Sequence, residues 1–90
     1  MYILASRPNG TLYIGVTSDL PRRLSQHQQD VIPGFTSRYQ VHRLVWYEWH
    51  AMMDSAIRRE KALKKWNRAW KIRLIEKDNP MWRDLTKELG

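Results

Sequence analysis

Two tyrosines, an arginine and a histidine early in the chain carry groups that can move a proton and stabilise charge on a phosphate. Tyr2 and Tyr13 are separated by eleven positions, Arg23 follows ten positions later, and His27 lies one helical turn beyond. Water attack on a phosphodiester needs a base and a source of positive charge. A phenol with a pKa of about 10 is a poor base until nearby cations lower that pKa. Arg23 is the candidate cation.

Glu60 adds a carboxylate from the second half of the chain. Apolar residues flank it at i−4, i−3 and i+3, namely Ala56, Ile57 and Leu63. On a helix, Glu60 therefore lies on or beside the stripe that should face the sheet. Burial of an unpaired carboxylate is costly, so this side chain needs a cation. Lys64 at i+4 supplies a structural partner, and Mg²⁺ held by one carboxylate, waters and substrate phosphates is the alternative.

Each of these residues also has an ordinary structural interpretation. Tyr2 and Tyr13 belong to a type that is common in strands. Arg23 fits a solvated helix surface, and His27 fits a hydrogen-bonded core position. The three histidines, at positions 27, 42 and 50, lack zinc-site spacing, and the chain has no cysteine. A structural zinc site is therefore not expected.

Length and charge favour a small domain with an anionic partner. The chain has 90 residues, 42% of them apolar, and a formal net charge of +7, which predicts a single domain over residues 1–90. Between residues 58 and 73, eight Lys and Arg accompany Glu60 as the sole acid. Such a surface is typical of proteins that follow a nucleic-acid backbone. The candidate nucleic-acid-binding residues are Arg22, Arg58, Arg59, Lys61, Lys64, Lys65 and Arg68.

Composition also bears on compartment and on membrane binding. No segment approaches the roughly 20 apolar residues of a spanning helix, and the first residues do not form a secretory signal. We therefore predict a cytoplasmic protein with no membrane partner. Trp66 and Trp70, four positions apart in the basic stretch, leave open a helix lying on a membrane surface. Packing in the core is the favoured interpretation of both, because a small domain needs aromatic mass.

Strand and turn signals predict how the two tyrosines are positioned. Residues 1–6 and 11–17 are strand-like and are joined by Asn9-Gly10, a strong hairpin signal. The resulting antiparallel hairpin places Tyr2 and Tyr13 on adjacent strands. Whether they share a face depends on the register.

Helix signals follow the hairpin. Ser18 or Asp19 can cap a helix over residues 20–29, on which Arg23 and His27 face the same way. The remaining predicted elements are a loop over residues 31–40, a strand over 43–49, a helix capped by Asp54 or Ser55, and a helix over 68–77 that begins after Asn67. The predicted order is ββαβαα.

Taken together and in order, these residues resemble the catalytic series of the GIY-YIG nuclease superfamily. The series consists of Tyr2, Tyr13-Ile14-Gly15, Arg23, His27 and Glu60. The chain is more closely similar to the small stand-alone bacterial GIY-YIG domain proteins of the excinuclease-like kind. Residues 3–17, 59–71 and 79–85 carry that closer resemblance.

The resemblance implies an α/β (α+β) fold in which a small three-stranded antiparallel sheet is flanked by helices. It also implies an endonuclease that hydrolyses DNA phosphodiester bonds with one Mg²⁺ or Mn²⁺ ion bound by Glu60. Tyr13 would deprotonate or orient the attacking water, and Arg23 would stabilise the pentacovalent phosphate. Tyr2 and His27 would assist.

Further expectations follow from the same resemblance. Gly15 would let the backbone approach closely beside the site, and Asn79 would hold the site together. The family's first Gly-Ile pair has no counterpart before Tyr2, so we expect a clipped strand that loosens Tyr2 and reduces activity. The expected partner is nucleic acid, DNA in the first place, with a larger DNA-targeting protein as a second candidate. We expect a monomer or weak dimer linked to DNA repair or recombination. The alternative is a non-catalytic DNA- or RNA-binding module with the same fold.

Overall fold

A computed structural model of the protein describes residues 1–29 and 39–89. Within these ranges the α-helices and β-strands follow the order ββαβαα, as predicted. They are β1 (Tyr2–Ala5), β2 (Leu12–Gly15), α1 (Leu20–Gln28), β3 (Arg43–Tyr47), α2 (Met53–Lys65) and α3 (Arg68–Asp78), and a 3-10 helix (Leu85–Leu89) follows. Of the loop predicted over residues 31–40, residues 31–38 lie outside the described residues. Tyr39 is helical, so the loop prediction is wrong there, and Gln40 lies in a turn.

The strands form the predicted three-stranded antiparallel sheet in the order β2-β1-β3. β1 is central, and its residues from Tyr2 to Ala5 are all buried because both faces of the sheet are covered. The hairpin turn uses Asn9 with a positive φ of 58°, a conformation that Asn tolerates better than most residues. The amide of Gly10 donates to the carbonyl of Arg7 at 2.9 Å and closes the turn.

A β-bulge in β3 determines which of its side chains reach each face. Leu4 pairs with Leu44, whereas Ile3 pairs with Trp46, so Val45 is the additional residue. The extra residue reverses the alternation beyond this point. As a result Tyr47, which pairs with Tyr2, packs on the same side of the sheet as Leu44.

Each face of the sheet carries its own apolar core. One core lies between the sheet and the two later helices and contains Met1, Ile3, Ala5, Ile14, Val45, Trp46, Leu63, Ile75 and Trp82. The other lies against α1 and the 3-10 helix and contains Tyr2, Leu4, Leu24, Val41 and Leu44, with Tyr13 packed against it. The two phenols therefore belong to the α1 side of the sheet.

Two of the three helix starts agree with the sequence-based predictions. Asp19 caps α1 by accepting from the amide of Arg22 at 3.3 Å, and Asn67 caps α3 by accepting from the amide of Trp70 at 2.9 Å. The predicted cap of α2 by Asp54 or Ser55 is wrong. The helix begins at Met53, and its N-cap residue makes no side-chain hydrogen bond. Asp54 instead lies in the first turn, where its negative charge interacts favourably with the helix dipole.

Two other sequence-based expectations are corrected on the later elements. β3 ends at Tyr47, opposite Tyr2, and does not extend to Trp49. Trp66 packs against the first core, as predicted for both tryptophans, but Trp70 is 50% exposed. The prediction that Trp70 belongs to the core is therefore wrong. Across the described ranges, no helix is both long enough and apolar enough to cross a bilayer.

Candidate active site

The register of the β1–β2 hairpin brings the two phenols to one face of the sheet. Tyr2 pairs with Gly15 and Leu4 pairs with Tyr13, so all four side-chain positions point toward α1. The ring centroids of Tyr2 and Tyr13 are 6.2 Å apart, with their planes inclined by 41°. Sequence alone left this register open, and the structure places both hydroxyl-bearing rings together.

Gly15 makes room for these rings. A Cβ atom at this position would lie 2.5 Å from the Tyr2 hydroxyl oxygen, 2.6 Å from Tyr2 Cζ and 2.9 Å from Tyr13 Cε1. Such distances are far inside van der Waals contact, so any side chain would push the phenols away. The close approach at Gly15 is therefore made by the protein's own tyrosine rings.

Helix α1 presents His27 to the same cluster. Its side chain is 3% exposed, and its Nε2 atom lies 3.1 Å from the hydroxyl oxygen of Tyr2. The His27 ring centroid is 6.0 Å from that of Tyr2 and 5.5 Å from that of Tyr13. Tyr2 is thus fixed from three sides, because β1 also pairs it with Gly15 and Tyr47. β1 begins at Tyr2 and is paired on both sides. That a clipped strand loosens Tyr2 and reduces activity stays a prediction.

Burial sets the protonation of this pair. It is the main cause that raises the pKa of Tyr2 far above its ordinary value, and Tyr13 and Glu60 raise it further against the opposing effect of Arg23. Burial also lowers the pKa of His27, with additional lowering by the Arg23 guanidinium and by the nearby imidazole of His42. At neutral pH the imidazole is therefore neutral and the phenol keeps its proton. The Tyr2 hydroxyl can then donate to Nε2 of His27.

Arg23 lies one turn before His27 on α1 and is partly exposed. Its guanidinium is close enough to act electrostatically on both Tyr2 and His27. The sequence prediction that α1 would present a cation and an imidazole to the two tyrosines agrees with this placement. A partly exposed guanidinium beside buried aromatic groups is suited to contact a phosphate in solvent.

Glu60 approaches the phenols from α2. Its negative charge is one of the groups that raise the pKa of Tyr2. The carboxylate is 19% exposed and forms an ion pair with Lys64, with 3.2 Å between Nζ and Oε1. The structural partner that the sequence offered is therefore present. The Lys64 side chain is 55% exposed, so it can turn into solvent and release the carboxylate.

These contacts allow a test of whether the residues fit a divalent ion. Over residues 1–29 and 39–89 no cluster of three or more His, Cys, Asp or Glu could cage a metal. A single carboxylate with a releasable partner suits Mg²⁺ or Mn²⁺, because Mg²⁺ keeps several waters and shares its coordination with phosphate oxygens. Glu60 fits an ion of that kind and would not fit a closed structural site.

A surface cavity joins β2 to the basic helices. It has a volume of about 350 Å³ and is lined by Leu12, Tyr13, Ile14, Lys64 and Lys71. Tyr13 is partly exposed, in contrast to the buried Tyr2. Of the two phenols, Tyr13 is thus the one that can reach solvent.

The predicted nucleic-acid-binding residues separate into two groups in the structure. One group, consisting of Arg22, Arg58, Lys61 and Lys65, is exposed on α1 and α2. The other group makes contacts within the protein. Lys64 pairs with Glu60, and Arg59 pairs with Glu48 at 3.5 Å and lies 5.5 Å from the Trp66 ring centroid. Arg68 Nη2 donates to the carbonyls of Asn9 and Gly10 at 2.7 and 2.6 Å and so ties α3 to the hairpin turn.

Asn79 lies outside the phenol cluster. It caps α3 and is 2% exposed. Its Nδ2 donates to the carbonyls of Val45 at 3.1 Å and Arg83 at 2.9 Å, and its Oδ1 accepts from the amide of Arg83 at 3.0 Å. The side chain therefore joins the C-terminal segment to the bulge in β3 and supports the sheet from the opposite layer.

Sequence reasoning assigned no role at the site to His42. It lies just before β3, and its charge is among those that lower the pKa of His27. The zinc-ligand spacing that would draw attention to a histidine is absent here. Its proximity to His27 arises from tertiary packing and has no counterpart in local sequence.

Comparison with known families identifies this arrangement. The model of the GIY-YIG catalytic domain matches residues 1–73, a range that includes both tyrosines, α1 and Glu60. No curated protein and no solved structure matches the chain. The family match agrees with the three-stranded antiparallel sheet and its flanking helices. The chain belongs to the GIY-YIG family of nuclease domains.

Proposed function

We propose that the chain is a metal-dependent endonuclease that hydrolyses phosphodiester bonds in DNA. The observation that carries this proposal is the convergence of Tyr2, Tyr13, Arg23 and His27 on one side of the sheet, with Glu60 acting on the same phenol. Membership of the GIY-YIG family, whose domains are nucleases, also supports this proposal. Packing alone does not require a guanidinium and a carboxylate beside these aromatic groups.

The protonation states support a division of work between the phenols. Tyr2 is buried and keeps its proton, so it positions His27 and does not serve as a base. Tyr13 is partly exposed and would orient or deprotonate the attacking water. Neutral His27 would accept the hydrogen bond of the Tyr2 hydroxyl at Nε2, which holds the phenol in place.

Arg23 would hold the phosphate and stabilise negative charge that develops on its oxygens. Nucleases of this family generally depend on a divalent metal ion. Glu60 would hold one Mg²⁺ or Mn²⁺ after release from Lys64, and the ion would supply further positive charge at the phosphate. The exposed cations of α1 and α2 would contact the DNA backbone.

We propose a single domain over residues 1–90 that acts in the cytoplasm as a monomer or weak dimer. We also propose a structure-specific role in DNA repair or recombination, with a larger partner that could supply DNA targeting.

One observation favours a second candidate function, a non-catalytic DNA- or RNA-binding module. Glu60 already has a cationic partner in Lys64 at 3.2 Å. If that ion pair persisted when nucleic acid binds, the carboxylate would not be available to a metal ion and the basic surface alone would remain functional.

Cleavage and binding assays on one set of samples distinguish the two functions. Labelled duplex, single-stranded and branched DNA would be incubated with Mg²⁺, with Mn²⁺ and with EDTA. Glu60→Gln and Arg23→Gln are each expected to lower the cleavage rate about 100-fold or more, the usual effect of losing a group that stabilises a transition state. Glu88→Gln is the matched control, since Glu88 is an exposed acid that pairs with Arg83 at 3.7 Å.

Binding in EDTA should change little in Glu60→Gln, because the DNA backbone is held elsewhere. Salt-dependent binding without cleavage of any substrate would refute the nuclease proposal and support the binding module. Equal activity of Glu60→Gln and wild type in Mg²⁺ would remove Glu60 from the mechanism.

A further inference from the structure

A second cavity lies beside the candidate active site and contains none of its catalytic residues. Its volume is about 620 Å³, within the usual range for ligand sites. The lining is made by Met1, residues 17–21, residues 47–53, Ala56 and Leu89. Tyr47 in this lining pairs with Tyr2, and Ala56 lies one helical turn before Glu60. The cavity therefore adjoins the site at the edge where β3 ends and α2 begins.

Trp49 forms the exposed wall of this cavity. Its side chain is 83% exposed, and the neighbouring Met52 and Met53 are 63% and 42% exposed. Large apolar groups exposed together commonly mark a binding surface. Trp49 follows Tyr47 by two residues, just beyond the end of β3, and both residues line the cavity.

The charge of the lining indicates which part of a nucleic acid would enter. Among the described residues that line the cavity, none is a lysine or arginine. The charged groups are the carboxylates of Asp19 and Glu48 and the N-terminal ammonium of Met1, which donates to the backbone carbonyl of Glu48 at 3.0 Å. Acidic groups repel phosphate, but they accept hydrogen bonds from the exocyclic amines of bases. Glu48 is held in place by His50 at 2.5 Å and by Arg59 at 3.5 Å. With two carboxylates, one ammonium and no lysine or arginine, the described lining suits a base better than a phosphate.

We propose that this cavity is a subsite for an unpaired nucleobase, with Trp49 as its stacking platform. Bases of single-stranded nucleic acid stack on exposed aromatic side chains without strong sequence preference. The proposal rests on the proposed function, because the nuclease site fixes where the DNA backbone lies. It narrows the substrate class to DNA with an unpaired base near the cleaved phosphate. A fully paired duplex would have to unstack and unpair a base to fill the subsite.

A second copy of the chain is a less suitable occupant. The exposed apolar side chains here are Trp49, Met52, Met53 and the adjacent Ile57. A stable protein interface uses about 20–30 residues on each side, far more than this patch offers. Its continuity with the candidate active site and its acidic lining both favour a nucleobase.

Binding measured in EDTA tests the subsite without relying on cleavage. The ligands are a blunt duplex and the same duplex with a single-stranded flap that carries 2-aminopurine at the junction. Wild type, Trp49→Ala and Trp49→Phe would be compared, with Trp70→Ala as the matched loss of another exposed tryptophan. Trp49→Ala should weaken flap binding about 5- to 150-fold, the range for one base–aromatic stack. Duplex affinity should change by less than about twofold, as expected where no base is stacked.

Three further results are expected. Trp49→Phe should retain most of the flap affinity, Trp70→Ala should behave like wild type, and 2-aminopurine fluorescence should be quenched by wild type but not by Trp49→Ala. Equal weakening of flap and duplex binding in Trp49→Ala would overturn the proposal, and so would unquenched 2-aminopurine. A concentration-dependent dimer in sedimentation that Trp49→Ala abolishes would assign the patch to a second copy. Flap selectivity without any cleavage would leave the subsite standing and refute the nuclease function alone.

Discussion

The hydroxyl of Tyr2 lies within 3.1 Å of His27 Nε2, and its ring covers Gly15. Its position therefore depends on the backbone of β2 and on the orientation of α1. Both contacts are buried, so a change of one side chain moves the whole group of rings. The geometry of the candidate site therefore depends on how its side chains pack as well as on their chemical groups.

Gly15→Ala tests this dependence. The added Cβ would lie 2.5 Å from the Tyr2 hydroxyl, so the phenol must move or the strand must distort. We expect a loss of about 1–3 kcal/mol in the free energy of unfolding, typical of overpacking. The DNA cleavage rate should be measured well below the unfolding temperature. It should fall by more than the unfolded fraction of the variant can explain.

Gly10→Ala is the control for that experiment. A Cβ at Gly10 would lie 2.3 Å from Ser6 Oγ and 2.7 Å from Arg7 Cγ, at the turn end of the same hairpin. This variant should lose stability while cleavage by the folded fraction stays near wild type. Comparable loss of activity in both variants would show that Gly15 acts through general stability.

The lowered pKa of His27 predicts a pH-dependent stability. Burial is the main cause, with the charges of Arg23 and His42 adding to it. The unfolded chain then takes up a proton near the ordinary pKa of 6.5, above the pKa in the folded chain. The contribution of neutral His27 to the free energy of unfolding is fully present above about pH 6.5. It is lost as the pH falls toward the pKa of His27 in the folded chain. Urea unfolding should show this decline, and His27→Gln should reduce it. An unchanged pH slope in the variant would contradict the assignment.

At the element scale, Arg68 connects parts of the chain that are far apart in sequence. Its Nη2 donates to two carbonyls of the hairpin turn, so α3 holds the end of the hairpin that bears Tyr13. The sequence suggested only a basic residue within a basic run. The two carbonyl contacts explain why this cation differs from Lys65, which is exposed at the end of α2.

Arg68→Ala and Lys65→Ala should therefore have different effects. Loss of the turn contacts in Arg68→Ala is expected to lower the free energy of unfolding by about 1 kcal/mol. Lys65→Ala should leave stability within about 0.5 kcal/mol but reduce the salt dependence of DNA binding by about one phosphate contact. Thermal unfolding and binding at several salt concentrations measure both. If the stability of Arg68→Ala were unchanged, Arg68 would be assigned to nucleic-acid binding and not to holding the hairpin turn.

The sequence predicted elements well where the signal was local. The hairpin follows from Asn9-Gly10, and the starts of α1 and α3 follow from the capping residues Asp19 and Asn67. The start of α2 was wrong because Asp54 resembles a cap and in fact occupies the first turn. Strand length in β3 was overestimated, since pairing with β1 sets where a strand ends and residue propensity does not.

At the scale of the whole molecule, the C-terminal segment joins the two apolar cores. Trp82 is 2% exposed in the core beside α3, whereas Leu85 and Leu89 pack against the core beside α1. Arg43 Nη1 donates to the carbonyl of Trp82 at 3.0 Å, and Trp82 Nε1 donates to Glu76 Oε2 at 2.8 Å. The family match stops at residue 73, yet these later residues complete both layers.

Trp82→Ala should consequently destabilise the whole chain. Truncation of a buried tryptophan costs about 3–5 kcal/mol, a large share of the stability of a domain of this size. Met81→Ala is the matched control, because the neighbouring Met81 is 76% exposed. Urea unfolding followed by far-ultraviolet circular dichroism should show a single early transition for Trp82→Ala and a wild-type curve for Met81→Ala. Loss of only part of the signal would mean that the two layers unfold separately.

The sequence suggested members for the candidate site, which stay a prediction, but it did not indicate their arrangement. Residue types and order indicated Tyr2, Tyr13, Arg23, His27 and Glu60. That Tyr2 is buried while Tyr13 is partly exposed follows from packing on α1, which no local pattern encodes. The contact of Lys64 with both Glu60 and the Tyr13 cavity likewise depends on how α2 lies beside β2.

The central position of β1 has a consequence for how the chain folds during synthesis. β1 leaves the ribosome before both of its partners, and β2 follows within a short hairpin. β3 ends at Tyr47, 32 residues after Gly15, so at about 5–20 residues per second one edge of β1 stays open for roughly 2–6 s. An unpaired hydrophobic edge invites association with other chains. The phenols can thus meet early in a nascent hairpin, and the carboxylate on α2 completes the site last.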